Sequence, residues 1–278
     1  GNNKTVTLNT LALGNGSNGG LAANYTLTGG THQLTVNQRP LNATLARQYD
    51  GTTNAAGSDL SSFDALQGGE TLTLSGSGTA ANDNVANGIS VSSLGSLALV
   101  NGTGLASNYS LNSAAINITQ RVLNSSGSKT YDANTNALAG AITLSNLVSG
   151  EALNHSGTAT TSSANAGSYT ISNLSGISIA DGSGGAASNY TLTGGTHNFT
   201  VNPKVVSIQG NKTYDGNATI SAGNITSVVG TVGTQTLVIS GGSGTVSSAN
   251  AATYSSSGIN VGTLTLGNGS NGGLAANY

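Results

Sequence analysis

Apolar residues recur at every second position along most of this chain. Leu72/Leu74, Ile89/Val91, Leu97/Leu99, Ile116/Ile118, Ile177/Ile179, Leu237/Ile239, Ile259/Val261 and Leu264/Leu266 each flank a single, mostly polar residue. A strand sends successive side chains to opposite faces, so this pattern predicts half-buried β-strands. Thr, Val and Ile dominate the runs, and clusters of Gly, Asn, Asp and Ser interrupt them roughly every 8 to 12 residues. No segment carries an i, i+3, i+4, i+7 apolar stripe, so helix is expected to be almost absent.

The strands are organised by internal repeats. Asn-Tyr occurs at Asn24-Tyr25, Asn108-Tyr109, Asn189-Tyr190 and Asn277-Tyr278, at separations of 84, 81 and 88 residues. A basic-x-Tyr-Asp motif ends at Asp50, Asp132 and Asp215, at separations of 82 and 83. Two independent anchors therefore agree on a period near 82 residues. A solenoid coil takes about 20 to 45 residues, so a period this long fits one small all-β domain. The predicted architecture is a tandem array of small antiparallel β-sandwich-like domains, elongated overall, with a continuous β-solenoid as the alternative. Boundaries fall at residues 38–119 (repeat 1), 120–202 (repeat 2) and 203–278 (repeat 3), with 1–37 as the C-terminal part of an upstream repeat.

The stretch after Asn-Tyr also recurs, as TLTGGTHQLTVN from Thr26, SLNSAAINIT from Ser110 and TLTGGTHNFTVN from Thr191. It is expected to be a strand that closes the sheet of its repeat. LALGNGSNGGLAANY from Leu11 returns as LTLGNGSNGGLAANY from Leu264, so repeat 3 stops at the phase where its own closing strand would begin. An unpaired strand edge invites pairing; in a longer polypeptide the next stretch of chain would fill the gap, and head-to-tail strand complementation between chains, giving a filament, is the alternative.

Composition removes several function classes. Only 6% of the 278 residues are charged, with net charge −2, against about 25% charged in an ordinary soluble domain. Seven basic residues spread over the chain cannot form the cationic face that nucleic acid requires. The absence of Cys excludes disulfides and thiolate metal sites, and no apolar run approaches the roughly 20 residues of a membrane helix. The absence of Met predicts an internal stretch of a longer polypeptide. With so few charges, the surface must be Ser, Thr, Asn and Gly.

Candidate chemistry is sparse. In the Tyr-Asp motifs, Tyr49-Asp50, Tyr131-Asp132 and Tyr214-Asp215, the basic residue and Tyr share a strand face and Asp opens a turn. Tyr is expected to cap the core with its hydroxyl on a polar partner; the competing reading is an exposed sugar-binding Tyr-Asp pair, which all three tyrosines exposed on one face would favour. Ala133 in the second copy argues against a strict need for Gly after the Asp. His32 and His197 recur in TGGTH but lack metal-ligand partners and are expected at the surface. Glu70 and Glu151 are alone in their repeats, which gives no paired-carboxylate catalytic site. No Asp-x-Asp-x-Asp loop is present to hold calcium, so no cofactor is expected, with structural calcium at the seven Asp residues, several of them in turn-like stretches, as the alternative. Asn-x-Ser/Thr sequons number 16, among them Asn24, Asn42, Asn108, Asn117, Asn189, Asn198 and Asn217. Strand geometry places i and i+2 on one wet face and produces part of this pattern; N-glycosylation is the alternative.

The basic-x-Tyr-Asp-Gly signature, the SSANAGSYT and SSANAATYS segments with Tyr169 and Tyr254, and the Asn-Tyr-x-Leu…Thr-Val ending together resemble YDG-type repeats. These are relatives of the MBG repeats of very large secreted Gram-negative adhesins, the filamentous-haemagglutinin and high-molecular-weight class. The resemblance covers nearly the whole chain, although repeat 1 reads TAANDNVANGISV where the others carry that Tyr. It implies an all-β module, exported by two-partner secretion and strung in tandem on a cell-surface or secreted fibre of an adhesin. No catalytic residues carry over. The expected partners are neighbouring repeats and, in an alternative reading, host or biofilm-matrix glycans, with neither nucleic acid nor membrane insertion.

Overall fold

The computed structural model describes residues 5–171 and 174–278. Within these, every helical element is a three-residue 3₁₀ turn, and the rest is strand and loop. The chain is all-β, as the two-residue periodicity requires. It divides into two compact units, Gly1–Thr119 and Gln120–Tyr278, the division falling at a repeat boundary.

Unit 1 holds β1 (Arg39–Gln48), β2 (Asn54–Ala56), β3 (Leu60–Phe63), β4 (Leu72–Ser75), β5 (Ser77–Ala80), β6 (Ala86–Ser93), β7 (Ala98–Asn101) and β8 (Tyr109–Thr119). Alternation in β1 buries Leu41, Ala43 and Leu45 and leaves Asn42 and Ala46 in solvent. Six strands form one sheet in the order β2-β5-β6-β8-β1-β3, and β4 pairs with β7 apart from it. Most pairings are antiparallel, but β1 and β8 run parallel, with Leu45 opposite Ile116 and Arg47 opposite Ile118. Parallel partners cannot be joined by a hairpin, so the whole of the intervening repeat serves as their connection. The post-Asn-Tyr segment of repeat 1 is a strand of that repeat's own sheet. It lies inside, between β1 and β6, and Ile116 and Ile118 are sealed at 0% and 1% exposure.

Unit 2 begins with β9 (Arg121–Val122), β10 (Asn124–Thr130), β11 (Asn136–Leu138), β12 (Ile142–Ser145), β13 (Leu153–Thr160), β14 (Gly167–Thr170), β15 (Ile177–Asp181), β16 (Tyr190–Thr191) and β17 (His197–Asn202). The plan of repeat 1 returns: β17 lies between β10, to which it is parallel, and β14, in the order β12-β10-β17-β14. Tyr131, Ile142, Ile171, Ile177, Phe199 and Val201 are members of its core cluster. Each such side chain contributes about 1.5–3 kcal/mol on burial.

Repeat 3 supplies β18 (Ser207–Gly210), β19 (Thr219–Ser221), β20 (Ile225–Val229), β21 (Leu237–Gly241), β22 (Ser243–Val246), β23 (Ile259–Asn260) and β24 (Thr265–Asn268). Its counterpart of β10, β18, pairs with β20 alone.

One strand expectation fails. Thr26–Asn37 forms no strand, and Leu34 and Val36 are 61% and 64% exposed. Its counterparts each pair with the opening strand of their own repeat, and the described residues ahead of Thr26 contain no strand.

Candidate functional site: the Tyr-Asp turns and the tyrosine clamp

Each Tyr-Asp motif folds into the same turn from local forces. Lys129 Nζ lies 2.8 Å from Asp132 Oδ1, Lys212 Nζ lies 2.9 Å from Asp215 Oδ1, and Arg47 pairs with Asp50. The Asp carboxylate also accepts the backbone N–H two residues on, from Thr52, Asn134 and Asn217 at 3.0, 3.1 and 3.1 Å. The lysines reach further, donating to the backbone and side-chain oxygens of Asn134 and Asn217. Burial pushes the Asp132 carboxyl upward, but the Lys129 and Asn134 hydrogen bonds outweigh it and hold the carboxyl below its usual range. The Asp215 carboxyl is lowered by Lys212 and then by the Asn217 N–H.

The residue after the Asp is left-handed in all three copies: Gly51 at φ +73°, Ala133 at +64° and Gly216 at +79°. Glycine is therefore not required, as Ala133 implied, but the left-handed backbone is kept in all three copies. This corrects the expectation that Ala133 weakens the case for positive φ, and Ala133 carries the strain.

The Asn-Tyr motifs build a second device. Ala106–Asn108, Ala187–Asn189 and Ala275–Asn277 are 3₁₀ turns, each followed by the tyrosine. Tyr190 Oη donates to Glu151 Oε2 at 2.6 Å and accepts the Val148 N–H at 3.0 Å. Tyr109 Oη donates to Glu70 and accepts the Gln67 N–H at 3.2 Å. Tyr278 Oη donates to Gln235 Oε1 at 2.5 Å and accepts the Val232 N–H at 3.0 Å. Burial, reinforced by the Glu151 bond, pushes the Tyr190 hydroxyl up to about 12; the Glu70 bond raises that of Tyr109.

The two glutamates are thus tyrosine acceptors, a role the sequence reading missed. Its signal was present: Glu70 precedes Tyr109, and Glu151 precedes Tyr190, by the same 39 residues. Tyr25 does not join this set. It is 70% exposed.

Within unit 2 the two motifs meet. Tyr131, from the Tyr-Asp turn of repeat 2, packs edge-to-face on Tyr278 of repeat 3, with centroids 5.3 Å apart and planes at 76°. Gln235 donates to Tyr131 Oη at 2.9 Å while accepting from Tyr278. Asn277, 1% exposed, accepts the Ala166 N–H at 2.8 Å and donates to Asn165 Oδ1 at 3.0 Å. Its carbonyl takes the Lys204 N–H at 2.9 Å. Repeat 3 is fastened to repeat 2 by the very residues that define the period.

The YDG domain family matches residues 31–117 and again 117–199, more than half of the chain. The chain belongs to this family. No curated relative and no solved structure matches it. Both matched YDG copies contain the complete Tyr-Asp turn and the glutamate–tyrosine clamp; the third turn, at Tyr214-Asp215, lies beyond them.

The remaining candidates are accounted for residue by residue. Tyr49 and Tyr131 are each 4% exposed and Tyr214 66%, so two of the three tyrosines cap the core and the open three-tyrosine face that would favour sugar binding is not formed. His197 is 6% exposed, which corrects its expected surface position; Nε2 donates to the Leu192 carbonyl at 2.8 Å, leaving Nδ1 to accept from Ser125 Oγ at 2.9 Å. His155 donates to the carbonyls of Ala139 and Ile142. Among the described residues no three His, Asp or Glu side chains gather as metal ligands. Of the sequons, Asn24, Asn42, Asn108, Asn198 and Asn217 are exposed and Asn117 is half-buried. Asn189 is 1% exposed, which leaves no room for a sugar in the folded chain and removes it from that set.

Proposed function

We propose that this chain is a stalk segment of an extracellular bacterial adhesin, a non-enzymatic run of β-built YDG beads that holds an adhesive region away from the cell. The observation that carries this reading is the Tyr131–Tyr278 contact with Gln235 and Asn277 around it. Residues that recur once per period are used to fasten one bead to the next, as a load-bearing series of modules requires. Stability in such an array is a sum of bead terms and nearest-neighbour terms. The scarcity of charge supports the same reading, since a surface of hydroxyls and amides does not rely on ion pairs that salt screens.

Stretching the whole chain between its termini in a force spectrometer tests the proposal. Successive unfolding peaks are expected, each releasing about 280 Å of contour, as about 80 extended residues would give. A single smooth extension without peaks would overturn it. Antibody labelling of intact producing cells tests location independently: the surface should stain without permeabilisation.

A further inference from the structure

We infer that Lys129 and Asn134, and in the next repeat Lys212 and Asn217, become joined by side-chain isopeptide bonds that the turn itself forms, with Asp132 and Asp215 as the bases.

The groups that each bond needs stand together in one turn. Lys129 Nζ lies 2.9 Å from Asn134 Oδ1 and 2.8 Å from Asp132 Oδ1. Lys212 Nζ lies 2.7 Å from Asn217 Oδ1 and 2.9 Å from Asp215 Oδ1. The two lysine side chains are only 13% and 17% exposed, so each nitrogen is held against its turn. Both carboxamide oxygens also accept a main-chain N–H, Asn134 from Asn136 at 2.8 Å and Asn217 from Thr219 at 3.0 Å. A donor fixed on that oxygen stabilises the charge that develops there when the carbonyl carbon is attacked. Asn134 and Asn217 are exposed, so the leaving nitrogen departs into water. Each set is complete within its own turn, over 129–136 and 212–219.

Repeat 1 separates this chemistry from a purely electrostatic role. There the basic residue is Arg47, and five residues on stands Thr52. Arg47 pairs with Asp50 and donates to the Thr52 carbonyl. Lys129 does the same to the Asn134 carbonyl at 2.7 Å, and Lys212 to that of Asn217 at 2.8 Å. A charged turn therefore needs only the carboxylate and the main-chain carbonyl. The carboxamide is present where the basic residue is lysine. It gives way to a hydroxyl where that residue is arginine, whose guanidinium does not give up its proton to become a nucleophile. Nucleophile and electrophile change together.

The reaction balances without an outside reagent. The Asp132 carboxylate takes a proton from the Lys129 ammonium, and the freed Nζ lone pair adds to Asn134 Cγ. A proton passes from Nζ to Nδ2, and the Cγ–Nδ2 bond breaks as the Nζ–Cγ amide forms. Ammonia leaves and takes the proton held by Asp132, so the carboxylate is restored and nothing is oxidised or reduced. Each bond removes one positive charge, as lysine acylation does. It also staples the end of the repeat's opening segment to the turn that follows, and it hides the lysine from proteases that read basic side chains.

Intact mass spectrometry of the whole chain tests the proposal. Wild type, aged at neutral pH and at about pH 9, where more lysine is free amine, should become lighter by one ammonia and then by a second, faster at the higher pH. Tandem spectra should find Lys129 joined to Asn134 and Lys212 joined to Asn217. Lys129→Arg and Asn134→Thr install the residues that repeat 1 carries in this turn; each should lose the repeat 2 bond and keep that of repeat 3. Asp132→Asn should slow the Lys129–Asn134 bond about a hundredfold, the contribution of a positioned base. A wild-type chain that keeps its full sequence mass after ageing overturns the proposal. So does ammonia loss that persists in the Lys129→Arg/Lys212→Arg variant, since closure of asparagines on their own backbone would then account for it. The stalk reading stands apart from this result, because it rests on the contact between repeats and not on a cross-link within a turn.

Discussion

The ring of Tyr131 meets that of Tyr278 edge-on at 5.3 Å, although one belongs to a Tyr-Asp turn and the other to an Asn-Tyr turn of the following repeat. Edge-to-face packing sets the positive rim of one ring against the negative face of the other. Gln235 ties the pair together, since its amide nitrogen donates to one hydroxyl and its oxygen accepts from the other. Between repeats 2 and 3 the two periodic signatures of the sequence are therefore two halves of one contact.

That contact should be energetically coupled. Tyr131→Ala and Tyr278→Ala, measured by urea unfolding of the whole chain, should interact by about 1 kcal/mol in a double-mutant cycle. Tyr131→Phe, which keeps the ring and loses only the Gln235 bond, should cost about 1 kcal/mol. Strictly additive single effects would show that the two rings are neighbours without being a joint.

Ala133 provides an opposite test, because it occupies a conformation suited to glycine. Its φ of +64° matches Gly51 and Gly216, and a left-handed non-glycine residue is strained by roughly 1–2 kcal/mol. Ala133→Gly should stabilise the chain by about 1 kcal/mol after the greater freedom of glycine when unfolded is subtracted. Gly216→Ala should destabilise it by a similar amount. Nothing lies within 4 Å of the Cβ that Gly216 would gain, so the effect reports the backbone alone.

The Tyr190 clamp makes stability fall in alkali. Burial and the Glu151 carboxylate favour the neutral hydroxyl and raise it from 10 to about 12. A group raised on folding contributes its full stabilisation below its unfolded value and loses it as pH climbs to the folded one. Melting temperature should therefore drop between about pH 10 and 12. Tyr190→Phe should start lower and show a shallower drop over that window. Equal slopes for the two proteins would place the alkaline loss elsewhere.

The strands and the period were legible because both are written in local pattern: alternation marks a half-buried strand, and repeated anchors mark a repeated bead. The parallel pairing of β1 with β8 was not legible, since alternation says which face is buried and nothing of which strand lies alongside. Thr26–Asn37 shows the limit most directly. It shares ten of twelve residues with a segment containing a buried strand, yet it forms none without a partner, because strand structure is a property of the pair. The clamp could have been read from the 39-residue offset of Glu70 and Glu151 from their tyrosines, which recurs while neither glutamate has an acidic neighbour. Ala133 misled because residue identity was taken for conformation.

Gly127 is the position where the packing of a repeat can be checked by a single methyl group. It faces Phe199 across the parallel β10–β17 pair, and a Cβ there would stand 2.9 Å from the phenyl ring and 2.2 Å from the Ala141 carbonyl. Neither neighbour yields cheaply, for Phe199 is 1% exposed in the core cluster and the carbonyl belongs to the backbone. Gly127→Ala should cost about 2 kcal/mol or more, the range of an overpacked core. Hydrogen exchange of the β17 amides should accelerate, since this strand must move to relieve the clash. Gly140→Ala is the matched control: a Cβ there meets nothing within 4 Å, so unfolding should shift by no more than about 0.5 kcal/mol. Equal effects at the two glycines would mean that Phe199 does not lie across Gly127.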